Sequence, residues 1–143
     1  MKIFDTWLIW AILSAGFAAM TAIFAKIGIE NVNSDFATFI RTIVILGAAG
    51  GIVVVTGHWE DPDTISARTW VFLVLSGLAT GLSWICYFRA LKLGQAAQVA
   101  PVDKLSVVFV AIIGALLLGE HLSVPAWLGV GLIAAGATLV ALN

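Results

Sequence analysis

The chain has 143 residues, of which 62% are hydrophobic and only 10% are charged, and its mean hydropathy is +1.10. This composition lies far outside the range of soluble domains and predicts an integral membrane protein. The net charge of −1 excludes a basic surface for nucleic acid, and the single cysteine, Cys86, excludes an internal disulfide.

Apolar segments of membrane-spanning length follow one another along the chain, separated by short polar stretches. There are five, at residues 7–29, 36–56, 67–93, 96–118 and 124–142. Continuous apolar runs of about twenty residues favour helices over the shorter, alternating strands of a transmembrane barrel. We therefore predict an all-α, polytopic integral membrane protein with five transmembrane helices, forming a single domain over residues 1–143.

The first apolar segment can also be interpreted as a secretory signal peptide, with Lys2 before it and a possible cleavage site at residues 14–16. It continues without a break to Ile29, however, which is too long for the apolar part of a signal peptide. We predict a retained helix. In the polar stretch that follows, Ser34 or Asp35 is suited to be the N-cap of the second helix.

The fourth segment contains two adjacent charges, Asp103 and Lys104, inside an otherwise apolar run. On insertion scales each such charge costs roughly 2.5–3.5 kcal/mol near a helix centre, whereas each Leu, Ile, Phe or Val contributes about 0.3–0.6 kcal/mol. Because the run has twelve of these apolar residues, the gain and the cost nearly cancel. We therefore expect both charges to face protein, water or a ligand rather than lipid.

Pro101 lies two residues before Asp103 and has no N–H for the carbonyl of Ala97, which predicts a broken helix. Transporters build substrate sites at such breaks in the middle of the membrane. Since adjacent helical residues point about 100° apart, we expect Asp103 and Lys104 to have different partners. Residues 101–104 are therefore the first candidate site.

Three cations near the ends of other spans are further candidates for substrate or ion binding: Lys26, Arg41 and Arg89. Their ordinary role is to reach the lipid headgroups, Lys26 together with Glu30 four residues on. The alternatives are that they line a cavity, or that one of them forms a buried structural ion pair with Asp103.

Aromatic and small residues complete the candidate list. Trp84 and Tyr87 can line a pocket or pack in the core. Gly129 and Gly136, seven residues apart, can serve helix packing within the protomer or a dimer seam. The remaining tryptophans fall on one side of the predicted topology, as expected of an interfacial belt: Trp7, Trp10, Trp59, Trp70 and Trp127. Counting Lys and Arg favours a cytoplasmic C-terminus.

Catalytic and metal-binding motifs are not found in the sequence, so we predict that the protein is not an enzyme and uses no metal or cofactor. His58 with its acidic neighbours can be imagined as a metal site, but a solvated loop is the better interpretation.

Several motifs resemble the EamA domain of the drug/metabolite transporter superfamily. They are IFAKIG at 23–28, ATFIRT at 37–42, YFRALKLG at 87–94, APVDKLS at 100–106, LGE at 118–120 and GVGLIAAG at 129–136. Most members of that family have two such domains in an inverted repeat around a central cavity. Since this chain has one, the resemblance implies a homodimer, and an antiparallel homodimer would recreate the ten-helix arrangement.

The resemblance implies a transporter or exporter of a small polar metabolite that works by alternating access in a bacterial or archaeal cell membrane. Lys104 would hold an anionic or carbonyl group, and Asp103 a proton or an ammonium. Small multidrug resistance proteins of the same superfamily use a glutamate in the first helix, but residues 7–29 contain no acid. Two alternatives remain: a lipid-linked sugar flippase, with Arg41 and Arg89 on a phosphate, and a partner subunit that does not transport.

Overall fold

The computed structural model of the protein describes residues 6–142, and all regular structure in this range is helical. The α-helices are α1 (Thr6–Gly28), α2 (Ser34–Thr56), α3 (Ala67–Leu93), α4 (Ala96–Asp103), α5 (Ser106–Leu117) and α6 (Val124–Ala141). A short 3₁₀ turn at Pro62–Thr64 lies between α2 and α3. Five segments are long and apolar enough to cross a membrane, the fourth consisting of α4 and α5 together. The prediction of an all-α protein with five spans is confirmed.

The N-terminus of α2 is capped by Asn33, so the prediction of Ser34 or Asp35 was wrong. The Asn33 side-chain oxygen accepts hydrogen bonds from the backbone N–H groups of Asp35, at 2.9 Å, and Phe36, at 3.3 Å. An N-cap residue has extended backbone angles, and Asn33 has φ −62° and ψ 131°, whereas the helix already begins at Ser34. Ser123 caps α6 in the same way, through the N–H of Ala126.

A left-handed glycine ends α2. Gly57 has φ +69°. In this conformation the N–H of His58 donates to the carbonyl of Val53 at 3.1 Å, and the N–H of Gly57 donates to the carbonyl of Val54 at 3.2 Å. These two bonds form a Schellman motif, which satisfies carbonyls that the helix leaves without partners. The polar loop of residues 57–63 starts at this point.

The chain divides into two compact units, one of residues 25–92 and one that combines residues 6–24 with 93–142. In the first unit, Ile29, Phe88 and Leu91 are the most deeply buried large side chains. In the second unit, α6 packs against both α4 and α5. Ala111 of α5 and Ala137 of α6 are buried there, because small side chains let helices approach closely.

Candidate functional site

The fourth span is broken in its interior, as the proline predicted. α4 ends at Asp103 and α5 begins at Ser106. Between them the N–H of Leu105 bonds to the carbonyl of Val102, and the N–H of Val107 to that of Lys104, each at 3.0 Å. Both bonds reach back three residues instead of four, so the chain forms a tight turn at membrane depth. At 1.5 Å per residue this turn lies about 12 Å from the start of the span.

Asp103 and Lys104 form an ion pair with each other at this turn. The Lys104 ammonium lies 3.1 Å from a carboxylate oxygen of Asp103, so the prediction that the two would have different partners was wrong. The prediction assumed regular α-helical hydrogen bonding. Lys104 and Leu105 keep right-handed helical backbone angles, but the bonds tighten to three residues here, and the long lysine side chain can reach back to Asp103. The Asp103 side chain is 34% exposed and that of Lys104 57% exposed. The pair is therefore accessible from outside the chain and is not buried within it.

Two lysines close the C-terminal ends of α1 and α3 in the other unit. Lys92, in the last turn of α3, donates hydrogen bonds to the backbone carbonyls of Ile29, of Glu30 at 2.7 Å and of Val32 at 3.2 Å. Lys26, in the last turn of α1, donates to the carbonyl of Leu91 at 2.6 Å. Lys92 of α3 thus caps the C-terminal end of α1, and Lys26 of α1 caps that of α3. A cation at a helix C-terminus also complements the helix dipole.

A cavity of about 350 Å³ lies beside these caps. It is lined by Lys26, Ile27, Ile29, Glu30 and Lys92. Lys26 was predicted either to reach the headgroups or to line a cavity, and the structure places it on the cavity wall. Lys92 was missed, although a lysine in the last turn of a helix is a known capping signal.

Arg89 has a carboxylate partner that the sequence analysis missed. Its guanidinium donates to both carboxylate oxygens of Asp35, from Nε at 2.9 Å and from Nη2 at 2.7 Å. This bidentate geometry is typical of Arg with a carboxylate. The pair joins the first turn of α2 to the end of α3, and both side chains are partly exposed.

Arg41 interacts with aromatic rings. Its guanidinium carbon lies 4.3 Å over the centroid of the Trp84 ring and 5.2 Å over that of Phe88. These distances are in the range of cation–π interactions. Tyr87 is half-buried next to them, and its ring meets that of Phe88 edge-on at 6.4 Å.

The predicted site residues therefore fall into two local groups. One lies in the unit of residues 25–92 and consists of Lys26, Arg41, Trp84, Tyr87 and Arg89. The other lies in the second unit and consists of Pro101, Asp103 and Lys104. The predicted seam residues Gly129 and Gly136 are both in α6, and no neighbouring atom lies within 4 Å of where a Cβ would be placed on either.

Five apolar spans, one of them interrupted by a charged turn, define a multi-pass integral membrane protein. Residues 5–142 match the EamA-like transporter family, and the chain belongs to this family. A Sinorhizobium protein named as an uncharacterized transporter in the cobO 3′ region is 63% identical over 137 residues, which cover 96% of this chain and 97% of that protein. No solved structure matches the chain. The resemblance seen in the sequence is thereby confirmed, and the protein is a membrane transporter.

Proposed function

We propose that the protein is a homodimeric, alternating-access carrier of a small polar metabolite, with its substrate site at the break between α4 and α5. The observation that carries this proposal is the partly exposed Asp103–Lys104 pair inside a membrane span. Lipid cannot solvate such a pair cheaply, since each charge costs roughly 2.5–3.5 kcal/mol at the helix centre. Water, a substrate or a second protomer must therefore cover it.

The chemistry of the pair fits a polar substrate. The Lys104 ammonium can hold an anionic or carbonyl group, and the Asp103 carboxylate can bind a proton or an ammonium. The two groups lie 3.1 Å apart and neutralise each other. Binding energy that separates them can therefore favour one conformation of the carrier over another.

A homodimer is supported by the number of spans and by α6. The chain has five spans, and two copies related by an axis in the membrane plane would form an inverted repeat. Gly129 and Gly136 leave open space on α6, as a close helix–helix contact requires. The bacterial relative supports placing this transporter in a bacterial cell membrane.

Cysteine labelling tests whether the break between α4 and α5 lines a water-filled passage, and it does not require that the substrate be known. In a background with Cys86→Ala, which removes the natural cysteine, we expect Ser106→Cys to react with a membrane-impermeant thiol reagent from either side of oriented vesicles. Ile112→Cys is the matched control, since it lies on α5 about 120° around the helix from Ser106. Equal, slow labelling of both cysteines would exclude a water-filled passage at the break.

Transport by proteoliposomes tests the roles of the charges. Against a panel of radiolabelled small polar metabolites, we expect Asp103→Asn and Lys104→Gln each to lose uptake of whichever compound the unmodified protein transports. Asp63→Asn changes an acid in the loop and serves as the control. If a double variant with leucine at 103 and 104 still transports, the pair is not the substrate site.

Crosslinking across α6 tests the dimer and its orientation. Ala126 and Val140 share a helix face with Gly129 and Gly136. In an antiparallel pair, protomers carrying Ala126→Cys should crosslink to protomers carrying Val140→Cys. In a parallel pair, Ala126→Cys should instead crosslink to itself. Absence of both products would exclude a seam at this face.

A further inference from the structure

We propose that Arg41 forms an oxyanion-binding site, in which carboxylate or phosphate oxygens pair with the N–H groups of a guanidinium held over the Trp84 ring. This site is separate from the charged turn of the fourth span and lies in the other unit of the chain. It rests on the contacts that Arg41 makes and on those that the neighbouring cations make.

Three other cations lie in the last turns of α1 and α3, and all three are engaged with protein groups. Arg89 gives two N–H groups to Asp35. Lys92 donates to three backbone carbonyls, and Lys26 donates to the carbonyl of Leu91. Their hydrogen-bonding capacity is directed to holding helix ends together.

Arg41 differs from them in its partners. Within residues 6–142 its guanidinium has no carboxylate within salt-bridge distance and donates no hydrogen bond; it lies over the rings of Trp84 and Phe88, and the Tyr87 side chain is within electrostatic range. A guanidinium has five N–H donors in one plane. Stacking on a ring uses the face of the guanidinium and leaves the N–H donors at the edge of the guanidinium for other groups.

The depth of Arg41 in its span makes the N–H donors at the edge of its guanidinium significant. It is the eighth residue of α2, about 10 Å from the start of that span, and it is half-buried. A permanently charged group at that depth requires a partner, because neither lipid nor the ring supplies hydrogen-bond acceptors. Two parallel N–H groups match the two oxygens of a carboxylate or a phosphate.

The rings give the site a fixed geometry. With its centre 4.3 Å from one ring and 5.2 Å from a second, the guanidinium is restrained before an anion arrives. Less side-chain freedom is then lost on binding. Trp84 is accordingly a positioning residue, and its loss should weaken anion binding even though it carries no charge.

Fluorescence titration tests the site directly. In a variant that keeps Trp84 and has phenylalanine at the other five tryptophans, the detergent-purified protein is titrated with inorganic phosphate and, separately, with short-chain phosphatidic acid. Sodium chloride of equal ionic strength is the blank. We expect a saturable change in Trp84 fluorescence that is lost in Arg41→Gln. In Arg41→Lys the affinity should be at least tenfold weaker, because lysine keeps the charge but lacks the two parallel N–H groups.

Calorimetry on the chain with all of its tryptophans supplies a second measurement, in case the variant with five replacements fails to fold. There, Trp84→Leu should weaken binding several-fold. Arg68→Gln is the matched control, since Arg68 also lies near a ring, 6.0 Å from the centroid of Phe72, but at the start of α3. It should bind like the unmodified protein.

The probes distinguish the source of the anion. Saturation by phosphate alone supports a site filled from water, and saturation by phosphatidic acid alone supports a lipid headgroup site at Arg41. Binding that survives Arg41→Gln, or that Arg68→Gln reduces equally, would overturn the proposal, as would no saturable binding of either probe. Because no transport is measured, these outcomes leave the carrier proposal standing.

Discussion

The reciprocal lysine caps should contribute measurably to stability, and Lys92→Met tests this most cleanly. Methionine keeps an unbranched apolar side chain and removes only the ammonium. Lys92 has three carbonyl partners, but those of Glu30 and Val32 are at exposed residues, where water can replace the lost bonds. The third belongs to Ile29, which is 1% exposed.

The expected loss follows from that one buried acceptor. A hydrogen bond to a charged group contributes about 1.5–3 kcal/mol, and without it the Ile29 carbonyl keeps only a long hydrogen bond, at 3.4 Å, from the N–H of Val32. We therefore expect Lys92→Met to lower the free energy of unfolding by about 2 kcal/mol. Counting all three bonds at full strength would predict a loss two to three times larger.

Unfolding of the detergent-purified protein by added sodium dodecyl sulfate, followed by tryptophan fluorescence, measures this change. Arg68→Met is the control, because it removes a cation at the start of α3 that, among residues 6–142, has a distant ring contact but caps no carbonyl. A loss no greater in Lys92→Met than in Arg68→Met would refute the capping argument. A loss near 6 kcal/mol would show that the exposed carbonyls also depend on the ammonium.

The same unfolding assay checks three further predictions. Asn33→Ala should lower the free energy of unfolding by about 1 kcal/mol through loss of the α2 N-cap, whereas Ser34→Ala should lower it by less than half of that. Equal losses would contradict Asn33 as the N-cap. Gly57→Ala should cost about 1–2 kcal/mol, because its φ of +69° disfavours a side chain although nothing lies within 4 Å of the added carbon; no loss would mean that the turn rearranges. Asp35→Asn should cost less than about 1 kcal/mol, with the difference shrinking at high salt, because its pair with Arg89 is exposed; a large, salt-independent loss would argue for a buried pair.

Local signals in the sequence predicted much of the helical framework. The spans of residues 67–93 and 96–118 were placed to within one residue, because polar residues flank each apolar run. Pro101 predicted a break in the fourth span, but α4 continues through the proline and the break lies three to four residues further on, at Lys104 and Leu105. Ser123 and Pro125 are residue types typical of a helix start, and α6 begins between them, at Val124.

Partners were harder to predict than helices. The pairing of Asp103 with Lys104 was missed because it depends on how the chain turns after Pro101, which is a local geometry that spacing alone does not give. The N-cap was placed one or two residues late, since Asn33, Ser34 and Asp35 are all good capping residues.

The sequence by itself determined that this protein crosses a membrane five times, that one crossing is broken beside two charges, and that the chain resembles EamA-like transporters. Only the tertiary structure decided what each cation does: Arg89 binds Asp35, Lys92 caps α1, and Arg41 lies over Trp84. The physical reason is range. Hydropathy and backbone chemistry act along the chain, whereas these contacts join residues more than forty positions apart, and only folding brings them together.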